Sequence, residues 1–432
     1  MLSAFGRAFR TPDLRRKLLF TIAIMSLFRV GSFIPTPGVD YANVQQCVAA
    51  QEGSTSLLGL VNTFSGGALL QLSVFALGIM PYITASIITQ LLRVVIPRFE
   101  ALHKEGQSGQ AKLTQYTRYL TIALAILQST TIITTARTGL LFPGCPVDVV
   151  VDDSFMTAFL MVVTMTAGTG LVMWLGELIT EKGIGNGMSL LIFTSIVASF
   201  PTALWSIAGG ANGPLNFMIM IAVIVLVIGM VVYVEQSQRR IPVQYAKRMV
   251  GRRMYGGTST YIPIKINMAG VIPVIFAASI LAIPALLAQF GDQTAGWVIW
   301  ISNNLAQQDQ PIYIAVYVLM IVFFAFFYTS ITFNPDEVAD NMKKYGGFIP
   351  GIRAGRPTAE YLDYVITRIT SAGALYLAIV ALIPTLVLVF LGVTTNIPFG
   401  GTSILIIVGV GLEFVKQVNS QLQQRHYEGF LR

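Results

Sequence analysis

Long uninterrupted apolar runs dominate this chain, in place of the alternating or 3.6-residue patterns of a soluble domain. A helix needs about 20 residues to cross a hydrocarbon layer. Runs of that order fall near residues 18–35, 73–92, 119–136, 154–176, 187–205, 215–234, 268–289, 312–333, 371–392 and 402–418. Charged or Gly/Pro-rich segments bound them, so the pattern predicts ten transmembrane helices. Ten is even, which puts both termini on one side. Composition points the same way: of 432 residues, 54% are apolar and 11% charged, where a soluble domain carries about 25% charged. Mean hydropathy is +0.69. A typical soluble enzyme is excluded.

Charge supplies the orientation. The net charge of +8 would suggest nucleic acid in a soluble protein, but here it reports topology. Of the 28 Lys and Arg, 26 fall before the first span, after residue 415, or in the even-numbered loops. Only Arg137 lies in the opposite set, which holds Asp40, Glu52, Asp148, Asp152, Asp153, Asp292 and Asp309. Positive charge stays on the cytoplasmic side, so both termini are expected there. Arg15, Arg16 and Lys17 before the first run imitate a secretory signal, but the run is long and ends in Ile34-Pro35-Thr36-Pro37-Gly38 without a small-residue cleavage site. It reads as a retained span. Cys47 and Cys145 fall in different outer loops; oxidation is permitted there, but the spacing does not pair them, and two unpaired thiols are the expectation. His103 and His426 are the only histidines, leaving little material for a metal site.

Splitting the chain near residue 210 gives halves 1–210 and 211–432 with five spans each. An odd number per half makes the second enter the membrane in the opposite direction, as in an inverted repeat. Gly78-Ile79-Met80-Pro81 and Gly270-Val271-Ile272-Pro273 interrupt the second span of each half. Such matched breaks mark a pathway or binding site in proteins of this type. The stretch 57–72, with its Ser65-Gly66-Gly67 break, is too short to span and either re-enters the membrane or lies on the outer surface.

Coupling chemistry is missing. Arg29 and Glu413 are the only charges well inside spans, and both are expected to snorkel toward a helix end. There is no His-Glu-x-x-His run and no phosphate loop, and Gly183-Ile184-Gly185-Asn186-Gly187 reads as a turn leading into a helix. Two readings stay open on these residues, a passive channel and a secondary transporter; the transporter needs a midplane ion site that the spans do not offer. An intramembrane enzyme has no catalytic constellation. Two cytoplasmic loops, 235–266 and 334–367, are large. The first carries seven basic residues and no acid between Arg239 and Lys265, suiting an acidic protein surface or an RNA backbone. The second mixes signs and carries Gly/Pro punctuation, the pattern of an ordered loop that faces a partner.

The residues also resemble the SecY family of protein-conducting channels over nearly the whole length. The resemblance rests on Phe28-Arg29-Val30-Gly31-Ser32-Phe33-Ile34-Pro35, Phe64-Ser65-Gly66-Gly67-Ala68, Ala76-Leu77-Gly78-Ile79-Met80-Pro81-Tyr82-Ile83 and Gln115-Tyr116-Thr117-Arg118-Tyr119. It continues through Met173–Gly187, Lys265–Pro273, Phe333-Asn334-Pro335 and Gly400-Gly401-Thr402-Ser403. It implies an all-α polytopic membrane protein with ten transmembrane helices in two inverted five-helix halves and a re-entrant plug helix near 57–72, including Leu60, Asn62, Phe64, Ser65, Gly66 and Gly67. By similarity, the pore ring falls on Ile79, Ile83, Met188, Ile192, Ile275 and Ile406, where Met188 departs from the usual branched residue. Thr84, Gln128 and Asn267 would form a polar cluster, hydrogen-bonded among themselves, at a lateral gate between the second and seventh spans. Lys247, Arg248, Arg252 and Arg253 would meet the ribosome, its rRNA and proteins, and Arg353 the SecA motor. The resemblance further implies SecE and SecG subunits, signal peptides and nascent polypeptides as cargo, lipid around the gate, no cofactor, no enzymatic activity, and a place in the bacterial cytoplasmic membrane.

Overall fold

The computed structural model describes residues 9–50, 62, 65–139, 141–142, 145, 147–150, 152, 154–208, 213–245, 248–250, 253–255, 259–290, 295–305, 310–390 and 401–428. The helices of the first half are α1 (Pro12–Gly31), α2 (Tyr41–Ala50), α3 (Met80–Val95), α4 (Pro97–Lys104), α5 (Gln107–Arg137), α6 (Phe155–Lys182) and α7 (Gly187–Ala208). The second half has α8 (Gly213–Gln236), strands β1 (Gln238–Tyr245), β2 (Arg248–Val250), β3 (Arg253–Tyr255) and β4 (Ser259–Lys265), then α9 (Ile272–Phe290), α10 (Gly296–Asn304), α11 (Pro311–Thr332), α12 (Pro335–Lys344), β5 (Gly347–Phe348), α13 (Arg356–Phe390) and α14 (Gly401–Glu428).

Each of the ten predicted runs carries a helix. Among the described residues, six helical stretches are long and apolar enough to span by themselves: Gln107–Arg137, Phe155–Lys182, Gly213–Gln236, Pro311–Lys344, Arg356–Pro384 and Thr402–Gln424. The pair α3 and α4 makes a seventh if counted together, bent by 99° at Ile96-Pro97, where proline removes the amide that would continue the helix. Helices α1, α7 and α9 are shorter or more charged. The predicted start points of the second and seventh spans are corrected. Helix begins only at Met80 and at Ile272, because Gly78 and Gly270 turn the chain at φ +53 and +60.

The predominantly helical fold carries a small sheet outside the spans. The basic loop 235–266 is a hairpin: β1 pairs antiparallel with β4 from Gln238↔Lys265 to Gln244↔Ser259, and β5 from the next loop joins the other edge of β1. Ile241, Val243 and Ile264 from the sheet bury against Met342, Ile349, Leu362, Val365 and Ile366. This separate apolar core explains why α13 starts 15 residues before the predicted span at 371. Its first turns are amphipathic, covering the hairpin rather than facing lipid.

The unpaired-cysteine expectation is overturned: Cys47 and Cys145 form a disulfide across 98 residues of sequence. Linear spacing could not report this, because backbone contacts bring the loops together. Val39 bridges Val150, the Asp40 amide donates to Val149 O at 3.1 Å, and Asn43 Nδ2 donates to Asp148 O at 2.9 Å. We expect maleimide to label neither thiol before reduction and both after it; labelling without reductant would contradict the bridge. Replacing both cysteines with Ser should lower stability on the order of 2–4 kcal/mol, read as an earlier unfolding midpoint.

Candidate functional site

The two Gly-x-x-Pro breaks share one geometry. In each, a glycine at positive φ is followed within three residues by a proline in the first turn of a helix, Pro81 in α3 and Pro273 in α9. Proline fits there because the first-turn amides lack intrahelical partners anyway. The proline therefore does not kink a continuous span; it starts a helix inside the protein. The backbone before α3 runs as turns from Ser65 to Ile79, a conformation permitted at membrane depth only when protein satisfies its peptide groups.

Side chains from these two helix starts meet those of two other helices. Ile79 and Ile83 of α3, Met188 and Ile192 of α7, Ile275 of α9 and Ile406 of α14 all lie in one continuous buried apolar cluster, none more than 9% exposed. The thioether at 188 has a prepared seat. A Cβ on Gly176 of α6 would stand 2.5 Å from Met188 Sδ, so the missing side chain at 176 makes room for the longer one at 188. Helix α7 is held at its start by Asn186, whose Oδ1 accepts from the Met188 amide at 3.1 Å, and by Thr180 Oγ1, which accepts from the Gly187 amide at 2.8 Å. The Gly183–Gly187 segment is thus a turn and cap, with the Gly183, Ile184 and Gly187 amides already used.

Of the stretch 57–72, Asn62 and Ser65–Leu72 are described; Leu60 and Phe64 lie outside the described residues. Asn62 organises this segment. Its carbonyl accepts from Gly67 N at 2.8 Å and from Ser65 Oγ at 2.9 Å, and its Oδ1 accepts from Leu70 N at 3.1 Å. Ser65 Oγ accepts in turn from Leu69 N at 3.1 Å. Gly66 and Gly67 both take positive φ, and a Cβ at Gly66 would come 3.1 Å from Ser195 Cα of α7. Only glycine lets the turn lie this close to that helix.

Here the snorkelling expectation for Arg29 fails. Its Nη1 donates to Gly66 O at 2.5 Å, and its guanidinium lies 4.6 Å from the Phe33 ring centroid. The free carbonyl of a tight turn gives a buried cation an acceptor. The available signal was that Arg29 and Gly66 both sit in strong sequence motifs while Arg29 had no carboxylate partner. Glu413 is exposed on α14, where Gln417 Nε2 donates to it at 3.4 Å.

The proposed polar trio does not hydrogen-bond among itself, which corrects the expectation of mutual bonds. Thr84 Oγ1 donates to Met80 O at 3.0 Å within its own helix, the usual local alternative for a helical threonine. Asn267, buried, donates to Glu235 Oε1 at 2.6 Å and to Gly270 O at 3.0 Å. Gln128 is half-buried on α5. Asn267 therefore secures the second helix break to the end of α8. The seam is still present: α9 packs against α3 and α5.

A further tie went unread in the sequence. Arg118 of α5 makes a bidentate pair with Glu177 of α6, both contacts at 2.8 Å, fastening two of the quoted motifs together. Arg248 and Arg253 lie on the small β2–β3 hairpin, where Arg248 pairs with Tyr255 and Val250 with Arg253. Lys247 and Arg252 lie outside the described residues. Arg353 is exposed in the turn before α13, its carbonyl accepting from Thr358 Oγ1 at 2.8 Å.

The SecY family model matches residues 73–415. The chain is 67% identical over 437 residues, covering all of both chains, to the protein translocase subunit SecY of Streptomyces scabiei. Among solved structures it superposes on a protein-conducting channel with a TM-score of 0.64 at 20% identity, covering 94% of this chain and 91% of that one. The canine Sec61 channel in a ribosome complex gives 0.62 at 19% identity, with the same coverage. At these identities the two structures bear on fold alone.

The Arg29 contact has a measurable consequence. Arg29→Met keeps the length and removes the donor, and a charge-assisted hydrogen bond is worth about 1.5–3 kcal/mol, or roughly 10- to 150-fold in the displaced population of the 62–72 segment. Resting ion conductance in planar bilayers should rise accordingly; wild-type conductance from a folded variant would show that this contact does not hold the segment.

Proposed function

The chain belongs to the SecY family, and we propose that it is the channel subunit of a protein translocase, a passive pore for unfolded polypeptide whose energy comes from a partner. It is a multi-pass membrane protein. The observation that carries the mechanism is the apolar cluster of Ile79, Ile83, Met188, Ile192, Ile275 and Ile406, contributed by four helices and including both helix starts. A collar of apolar side chains gives a hydrated ion nothing to replace its water, so the closed passage dewets and seals. The same side chains have no fixed polar geometry to lose, and they yield to an extended peptide of any sequence.

In this reading the 57–72 segment is the plug, seated above the collar by Arg29 and Ser195. The seam where α9 meets α3 and α5 is the lateral gate through which apolar segments pass into lipid. The halves 1–210 and 211–432 are the two sides that separate. Thr84, Gln128 and Asn267 flank the gate, with Thr84 and Asn267 bonded separately, so opening breaks no bond between those two; Asn267 keeps the α9 start rigid while the gate moves. A secondary transporter is not favoured, since the cluster is apolar where an ion site would have to be.

The cytoplasmic platform supports the partner side. A hairpin braced by its own apolar core is stiff enough to carry Lys247, Arg248, Arg252 and Arg253 to an RNA surface, and Arg353 stands exposed on the adjoining turn. We assign the hairpin to ribosome contact and Arg353 to the motor SecA, with SecE and SecG bracing the helices, both termini cytoplasmic, and the bacterial inner membrane as location. No step calls for catalysis by this chain.

Two measurements check this reading. A photoreactive group at Ile275 should crosslink to a stalled secretory precursor while one at Leu375, an exposed position on α13, should not; no adduct from an engaged precursor would place the passage elsewhere. Replacing Arg252 and Arg253 together with Glu should weaken ribosome binding, and the salt dependence of the wild-type affinity should flatten. Equal affinities and salt slopes would remove the hairpin from the ribosome interface.

A further inference from the structure

A cavity of about 440 Å³ opens at the cytoplasmic end of the gate seam, within the range typical of small-ligand sites. Its lining comes from one face of α3 between Tyr82 and Arg93, from α4, from the first turns of α5 and from the last turns of α11, so it spans residues of both halves. A gap left by imperfect helix packing would be lined by apolar side chains. This one presents Gln90, Arg93, His103, Gln110, Thr114 and Tyr328.

The charge balance points to an anion. No Asp or Glu lines the cavity, and among the described residues no carboxylate pairs with Arg93, which is half-buried. Among the described residues its side-chain hydrogen bond is to His103 Nδ1 at 3.3 Å, which Gln110 Nε2 also approaches at 3.3 Å, and Tyr328 lies near it. Guanidinium and amide N–H groups can only donate, so that ring nitrogen is the shared acceptor and the imidazole is neutral. A neutral acceptor leaves the guanidinium charge uncompensated, with most of its five N–H donors unspent. A planar fork of this kind matches two oxygens of a phosphate, and Tyr328 stands in the same wall. A positively charged peptide end, such as the n-region of a secretory signal, would be repelled.

We propose that this cavity binds a phosphate group, and that the phosphate is the headgroup of an anionic phospholipid of the cytoplasmic leaflet. Lipid is favoured over free phosphate by the adjoining surface. Val94 and Val95, directly after Arg93 in α3, are 56% and 75% exposed, an apolar shelf beside the cation on which acyl chains can lie. Basic pockets between transmembrane helices on the cytoplasmic side suit such headgroups on general grounds. A headgroup held here touches α3 and α5 on one side of the seam and α11 on the other, so its occupancy ties the two sides together at the inner face. The inference rests on the cavity and its charge, independent of how polypeptide passes.

The test uses the full chain in nanodiscs of phosphatidylcholine with increasing phosphatidylglycerol, counting retained lipids by native mass spectrometry. Wild type should retain phosphatidylglycerol over phosphatidylcholine by about tenfold, the weight of one charge-assisted contact. Arg93→Gln should abolish that preference. So should His103→Asp, which sets a carboxylate against Arg93 from the exposed rim and leaves the buried wall untouched. Arg98→Gln, an exposed arginine outside the cavity, should keep it. Retention unchanged in both cavity variants, or lost equally in Arg98→Gln, overturns the site. Displacement of phosphatidylglycerol by millimolar inorganic phosphate overturns the lipid assignment in favour of free phosphate.

Discussion

A hydrocarbon interior offers no water to an open peptide group, and the rest of this structure follows from that constraint. A pathway for polypeptide needs helices that stop partway through the membrane, and each stop leaves amides and carbonyls without helical partners. The protein meets this demand locally. Around the first break, Thr36 donates its hydroxyl and its amide to Leu72 O at 2.8 and 3.0 Å, and Val74 N donates to Ile34 O at 2.8 Å. Asn62 and Ser65 close the turn before it, and Arg29 takes the Gly66 carbonyl. Around the second break, Asn267 covers Gly270 O. Remove these partners and the non-helical backbone becomes a cost the membrane cannot offset.

The same groups fix the apolar cluster. Because Ile79 and Ile275 sit at helix starts, their positions depend on the turns that precede them, and those turns are held by polar contacts with α1 and α8. The cluster and the Ser65–Leu72 turns share a third neighbour, α7, which contributes Met188 and Ile192 to the cluster and Ser195 to the seat of Gly66. Displacing the turn at Gly66 would therefore free a surface of α7 one turn from Ile192 and leave the Arg29 guanidinium without its carbonyl. Gly176 and Gly187 allow α6 and α7 to approach closely; a Cβ at Gly187 would meet Gly176 O at 1.8 Å. Small residues at such crossings replace the hydrophobic drive that is absent between helices in lipid.

Outside the membrane, water restores ordinary globular physics. The hairpin and the α12–α13 region bury their own apolar core, Asn334 caps α12 by accepting from the Asp336 and Glu337 amides, and the outer loops are cross-linked by Cys47–Cys145.

Much of this was legible in the chain because the signals are local. Apolar run length located the helices and the Gly-x-x-Pro pairs marked the breaks, since a missing amide and a positive φ are properties of single residues. The six residues assigned to the pore ring were named through motif resemblance alone; nothing in the residues themselves separates Ile79 or Ile406 from any other membrane isoleucine. What tertiary structure alone decided are the pairings between distant segments: Cys47 with Cys145, Arg118 with Glu177, Arg29 with Gly66, Asn267 with Glu235, and the cavity around Arg93. Each depends on which faces the helices turn toward one another. In lipid that choice is made by close packing and by the search of each polar group for a partner, neither of which leaves a periodic trace in the sequence.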